Sequence, residues 1–223
     1  MRASAIIAIA TLAACGPKAD EVVQELVPAA TTRLAEYRVA VRTALAAPPV
    51  TTPPVLPEKL VLGGDNDAAV NAALIHPEWL DEDPQKRHSD NEVISEIGHD
   101  FHEVASHTSG RHAYDNASPD PYRRMFRRFM GYRYLVIVDG AVSGGVVEAE
   151  SYTGGGFTGT LTFIDVAKKA PLGVVHVESG MPEKTGVVLN HAHSVDRQLR
   201  FQASQLAGPA IEKALAPYLA PGS

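Results

Sequence analysis

The stretch from Tyr132 to Asp139, YRYLVIVD, limits the fold more than any other part of this chain. Neighbours along a strand point to opposite faces, so the unbroken run Leu135, Val136, Ile137, Val138 makes both faces apolar and demands cover on each. Such a strand belongs at the centre of a sheet. Beyond Asp139 the chain is punctuated by glycine. Gly140, Gly144-Gly145 and Gly154-Gly155-Gly156 bound the β-rich segments Val146–Tyr152 and Phe157–Ile164, and Lys168-Lys169-Ala170-Pro171 precedes a last one, Leu172–Glu178. The connections are too short for a crossover helix, so these strands must pair antiparallel as a meander.

Helical periods flank the β-rich part. Between Asp20 and Ala47, Val22, Val23, Leu26, Val27, Ala30, Leu34, Tyr37, Val41 and Leu45 recur at three- and four-residue steps, with Pro28 placed to bend or restart the helix. A second helix is expected from about Asn91 to His107, with Val93, Ile94, Ile97, Phe101 and Val104 on one stripe, ended by Ser109-Gly110. A third starts near Ser118 or Asp120, with Pro121 early in it, and runs to Met130-Gly131. The last spans Ser194 to Leu219, with a kink or split expected at Gly208-Pro209. Val70 to His76 fits a buried strand or a helical turn, with strand preferred. The expected fold class is therefore α+β: an antiparallel β-meander of three to five strands with helices packed on one face, plus an N-terminal helix.

Length and composition bound the function. At 223 residues, 45% hydrophobic and 21% charged, the chain has material for one full domain and a core. A net charge of −6 removes the electrostatic basis for non-specific nucleic-acid binding, so no nucleic-acid partner is expected. The single cysteine allows no internal disulfide.

That cysteine closes a leader. Met1-Arg2 gives a positive end, Ala3 to Leu12 an apolar run shorter than the about 20 residues that span a bilayer, and Leu12-Ala13-Ala14-Cys15 comes next. The leader resembles that of the bacterial lipoprotein class, whose lipobox has small residues before a cysteine that is acylated and becomes the mature N-terminus. The resemblance implies a lipid anchor on Cys15, a palmitate-type modification, and a mature chain attached to a membrane without crossing it. Gly16 stands where an Asp would favour inner-membrane retention, so the resemblance implies the outer membrane, facing the periplasm. No motif in the mature domain names a family.

The expected division is a signal peptide at 1–14, a lipidated N-terminus and tether helix at 15–47, a spacer at 48–58, and a single α+β domain at 59–223. The spacer carries Pro48, Pro49, Pro53, Pro54 and Pro57, a composition that favours extended polyproline backbone.

Several residue groups carry candidate chemistry. Glu96, His99 and Glu103 fall at i, i+3 and i+7 on one helix, and the E-x-x-H pair points a carboxylate and an imidazole to one face, where zinc is the implied metal. His76 or His112 could complete such a site. His102 and His107 are one residue too far apart for H-E-x-x-H and point in different directions. His191 and His193, and a face shared by Glu148, Glu150, His176 and Glu178, are further candidates that solvated surface explains equally well. Arg123, Arg124, Arg127 and Arg128 interleave with Tyr122, Met125, Phe126 and Phe129, a pattern suited to an acidic protein, a cell-wall polymer or anionic headgroups. Gly140-Ala141-Val142-Ser143-Gly144 has its serine one place late for a nucleophile elbow. The sequence thus favours a lipid-anchored envelope module that binds a protein or polymer, with a metal-binding protein or metal-dependent hydrolase as the alternative.

Overall fold

The computed structural model describes residues 17–64, 66–81, 98–113, 117–143, 146–148, 151–153, 155–180 and 195–221. Cys15, Glu96, His191 and His193 lie outside the described residues. Among the described residues the architecture is α+β, with four α-helices and a four-stranded sheet that is mostly antiparallel.

Strand β2 (Tyr134–Ser143) is the sheet's centre. Its residues from Tyr134 to Val138 are all buried, so both of its faces are covered. It pairs antiparallel with β5 (Gly156–Asp165), which pairs antiparallel with β6 (Ala170–Gly180). The tight turn between those two needs a left-handed residue, supplied by Lys169 at φ 53°. On the other side β1 (Ala72–Ile75) joins β2 in parallel register, Ala72 opposite Tyr134 and Ile75 opposite Ile137. Parallel pairing is possible there because the connection is long and carries two helices back to the starting edge. Pro77 follows the strand and opens a 3-10 turn at Pro77–Leu80.

Val146–Tyr152 departs from the single alternating strand expected. It folds on itself as β3 (Val146–Glu148) and β4 (Ser151–Thr153), an antiparallel ribbon apart from the main sheet. Glu148 lies opposite Ser151, which leaves two residues between them, the commonest length for a hairpin.

Helix α1 (Ala19–Ala46) runs on through Pro28. Two hydroxyls next to the proline bond to backbone carbonyls one turn back: Thr31 to Val27 at 2.8 Å and Thr32 to Pro28 at 3.2 Å. Helix α2 (His99–His107) ends in a turn closed by Gly110 at φ 96°. Helix α3 (Pro119–Gly131) starts where Ser118 accepts from the Asp120 N–H, with Pro119 and Pro121 in the first turn, where a missing N–H costs least. These three pack on one another around an aromatic cluster. Phe129 stands 5.3 Å from Tyr37 and 5.2 Å from Phe101, centroid to centroid, and all three rings are fully buried. Helix α4 (Val195–Leu215) is a single helix with Pro209 inside it, and it packs separately, on β2, β5 and β6. The 3-10 turn after it sets Tyr218 against Phe163 of β5, ring centroids 5.0 Å apart.

Two segments expected to lie outside the domain are parts of it. Helix α1 is expected as a tether, yet Ala30, Leu34, Tyr37 and Ala40 are wholly enclosed, and Arg33 and Tyr37 both bond to the Tyr132 carbonyl. Its apolar stripe is too wide to be left in water, so it joins the core. The proline-rich segment, expected as a spacer, lies along the sheet. The Thr52 carbonyl accepts from the Val174 N–H at 3.0 Å, which pairs an edge of β6 that would otherwise be open. Pro54 is buried against Gly173, where a Cβ would stand 2.4 Å from the Pro54 Cα, so only glycine admits this approach. Leu60 then bridges in parallel to Leu219. Buried Asn71 ties the same segment down: its Oδ1 accepts from the Val61 N–H at 2.8 Å, and its Nδ2 donates to the Lys59 carbonyl at 3.1 Å.

Candidate functional site

Helix α3 presents three stripes. Met125, Phe126 and Phe129 face the core. The four arginines fall on two further stripes, Arg123 with Arg127 and Arg124 with Arg128, because residues four apart share a helical face.

Arg124 and Arg128 face the loop before β1. Arg128 is four-fifths buried and makes three bonds. Its Nε donates to Asp67 at 2.7 Å, its Nη1 to Asp100 of α2 at 3.2 Å, and its Nη2 to the Gly64 carbonyl at 2.8 Å. Arg124 adds an Nε bond to Asp67 at 3.1 Å. Burial pushes the Asp67 carboxyl up, but hydrogen bonds and charge from Arg128 and Arg124 outweigh it and hold the group below the usual carboxylate range. Arg128 is thus a clamp that fastens loop, α2 and α3 together, and Arg124 adds to it from the surface.

Arg123 and Arg127 face the other way, toward α1. Arg127 approaches Asp67 only to 3.9 Å and its side chain is 64% exposed. Arg123 pairs with Asp120, three residues back on the exposed surface, at 3.1 Å. Together with Glu25 they rim a groove of about 270 Å³ between α1 and α3, floored by Val22, Leu26, Ala29, Phe126 and Met130. Met130 is among the few large apolar side chains exposed in the described residues. The four arginines expected as one binding surface are therefore held differently: Arg128 is enclosed, Arg124 is tied to Asp67 while half-exposed, and Arg123 and Arg127 border the groove beside α1. Asp67, which no sequence periodicity singles out, is the residue that divides them.

Of the metal candidates, His99 and Glu103 come within 3.9 Å of each other on α2. Glu103 is already engaged by Arg111 at 2.8 Å, a fixed cation where a metal would need the carboxylate. His112 lies at the start of α1, 3.3 Å from Asp20, and His76 beside the 3-10 turn, 3.8 Å from Glu78. Neither is brought to His99 as a shared ligand: among the described residues no three His, Cys, Asp or Glu side chains form a group that could hold an ion. Burial holds the His76 imidazole below its ordinary value. His107 is not on a solvated face but buried against Tyr122 and Phe126, its Nδ1 2.9 Å from the Arg111 carbonyl.

His99, Asp100, Arg128 and Tyr132 line a polar recess of about 210 Å³ beside α2. Gly98 also lines it, and a Cβ there would stand 2.2 Å from the Trp79 ring, so a side chain at this position would clash with Trp79. Burial drives the Tyr132 phenol far up, with the Asp100 charge adding to it, and burial pushes the Tyr37 phenol up to about 12. Both phenols stay neutral, and the Tyr37 hydroxyl donates to the Phe129 carbonyl. The sheet-face set is not assembled either. His176 and Glu178 lie on β6 opposite Thr160 and Thr158, whereas Glu148 belongs to the separate ribbon and Glu150 lies outside the described residues. Among the described residues no helix is long and apolar enough to cross a membrane.

No family model matches the chain, and no curated protein or solved structure matches it.

Proposed function

We propose that this chain is a lipid-anchored protein of the bacterial cell envelope, held at the outer membrane and facing the periplasm. It works by binding an envelope protein or a cell-wall polymer, without covalent chemistry of its own. The observation that carries the reading is Leu12-Ala13-Ala14-Cys15, a lipobox-like sequence at the end of a positive-then-apolar leader, holding the only cysteine of the chain. The outward stripe of Arg123 and Arg127 over an apolar groove supports binding: cations framing an apolar floor suit a surface ligand and offer no nucleophile or paired acid and base.

The test is mass spectrometry of the N-terminal peptide from membranes, followed by cross-linking in intact cells. An acylated Cys15 and one discrete cross-linked envelope protein or polymer are expected. A protein that stays membrane-bound after Cys15→Ser sinks the anchor. A competing reading, zinc held by Glu96, His99 and Glu103, rests on the 3.9 Å approach of His99 to Glu103. It requires one zinc per chain in the purified protein, lost on His99→Ala.

A further inference from the structure

We infer that the groove between α1 and α3 is the face this domain sets against the bilayer, and that phospholipid headgroups are the partner of Arg123 and Arg127. The inference rests on acylation at Cys15 and names the partner of the stripe described above.

Very little chain separates the anchor from the fold. Ala19, the first residue of α1, is 1% exposed, and Val22 and Val23 are 2% exposed. This end of the helix cannot peel away without uncovering core. Only Gly16, Pro17 and Lys18 separate it from Cys15. Four residue steps, fully extended, reach about 14 Å. A folded chain of this length has a radius of gyration of about 17 Å. The tether is therefore shorter than the body is thick, and whatever surface surrounds the start of α1 must rest at the headgroups.

The groove is that surface. Asp20 meets His112 and the Ala113 N–H at 3.3 Å, so α1 begins beside the loop that leads into α3. Val22, Leu26 and Ala29 then come within about 15 Å along the helix axis, facing Arg123, Phe126, Arg127 and Met130. Guanidiniums above an apolar floor match an interface of phosphates over acyl chains, where arginine forms paired hydrogen bonds to phosphate and exposed Met130 has an apolar layer to enter. Glu25 and Asp120 on the same rim offset part of the charge, so the short tether, more than net attraction, selects the face. The turn between β5 and β6, with Lys168 at its tip, packs near Thr32 to Val39 of α1, farther along the helix and away from the anchored end.

The test uses acylated protein made in cells and reconstituted into phosphatidylethanolamine–phosphatidylglycerol vesicles. Once Cys15 is acylated, a single new cysteine is the only free thiol. A fluorophore is placed at Met130→Cys or at Lys168→Cys, and quenching by headgroup-nitroxide lipid is measured. Quenching several-fold stronger at position 130 is expected, falling several-fold when Arg123→Glu and Arg127→Glu are added without a change in melting temperature. Equal quenching at both positions, or stronger quenching at 168, in protein shown to be acylated overturns the inference and leaves the anchor standing. Quenching at 130 that survives the double reversal removes the arginines from the contact and overturns their assigned partner. An N-terminal peptide without acyl chains removes the anchor and this inference together. In native membranes, a reporter at 130 shielded from soluble quencher but not reached by nitroxide lipid would mean that a protein covers the groove, and would overturn it.

Discussion

The two arginine stripes of α3 are made of the same residue, about 100° apart around the helix, and their inner members are held very differently. Arg128 is four-fifths buried and joins Asp67, Asp100 and the Gly64 carbonyl. Arg127, its neighbour in the chain, keeps 64% of its side chain exposed and touches the same Asp67 only at 3.9 Å. The difference comes from what docks beside each stripe: a loop carrying a carboxylate on one side, the apolar flank of α1 on the other. Basicity along a helix is thus a property of composition, and availability of that charge is a property of packing.

The comparison breaks most visibly at Arg128. Removing its side chain leaves Asp67 and Asp100 short of a partner and frees the loop at Gly64. Hydrogen bonds to charged groups contribute about 1.5–3 kcal/mol each, net of those lost to water, and partial exposure of Asp100 lowers that return. Arg128→Ala is expected to cost about 1–2 kcal/mol, read as a fall in melting temperature of roughly 2–8 °C. A melt unchanged within error would mean that the clamp contributes nothing and that the two stripes are equivalent.

The parts of this fold that were legible in the sequence are the parts that repeat locally. β2 announced itself by two apolar faces, and α3 by Ser118, by Pro121 early in it and by its aromatic spacing. Contacts between distant segments left no such mark. Nothing periodic joins Thr52 to Val174 or Leu60 to Leu219, so the proline-rich segment reads as a spacer although it pairs an edge strand. The stripe of α1 showed that the helix has an apolar face, but not that Tyr37, Phe101 and Phe129 would share one cluster. At the candidate site the four arginines were evident. Their division was not, because it depends on Asp67 in a loop some sixty residues earlier. Glycine and acidic residues at 63–67 were the available signal, and charge complementarity with α3 the reasoning that would have used it.

A smaller effect separates the stripes by pH. The Asp67 carboxyl titrates below its unfolded value, so the native state holds fewer protons there than the unfolded chain. Its contribution is complete above about pH 4, the ordinary carboxylate value, and is lost as the pH falls below it. Chemical denaturation of Asp67→Asn against the unaltered protein should therefore show a stability gap at pH 6 that narrows toward pH 3. A gap constant across that range would show that the arginines do not bias the proton on Asp67.

The smallest effect sharpens the comparison from the other side. Arg123→Ala and Arg127→Ala each remove a guanidinium whose partner is distant or itself exposed, and solvent replaces most of what is lost. Each is expected to change stability by no more than about 0.5 kcal/mol, the usual range for surface sites. Their aliphatic stems flank the groove, so a truncation that exposes more of Phe126 adds a small loss of apolar cover. For that reason Arg127→Lys is the cleaner control, since it keeps the stem and a positive charge. A loss at Arg127 as large as that at Arg128 would show that its long contact with Asp67 is strong, that all four arginines form one clamp, and that helix α3 has no outward stripe to offer a membrane or a partner.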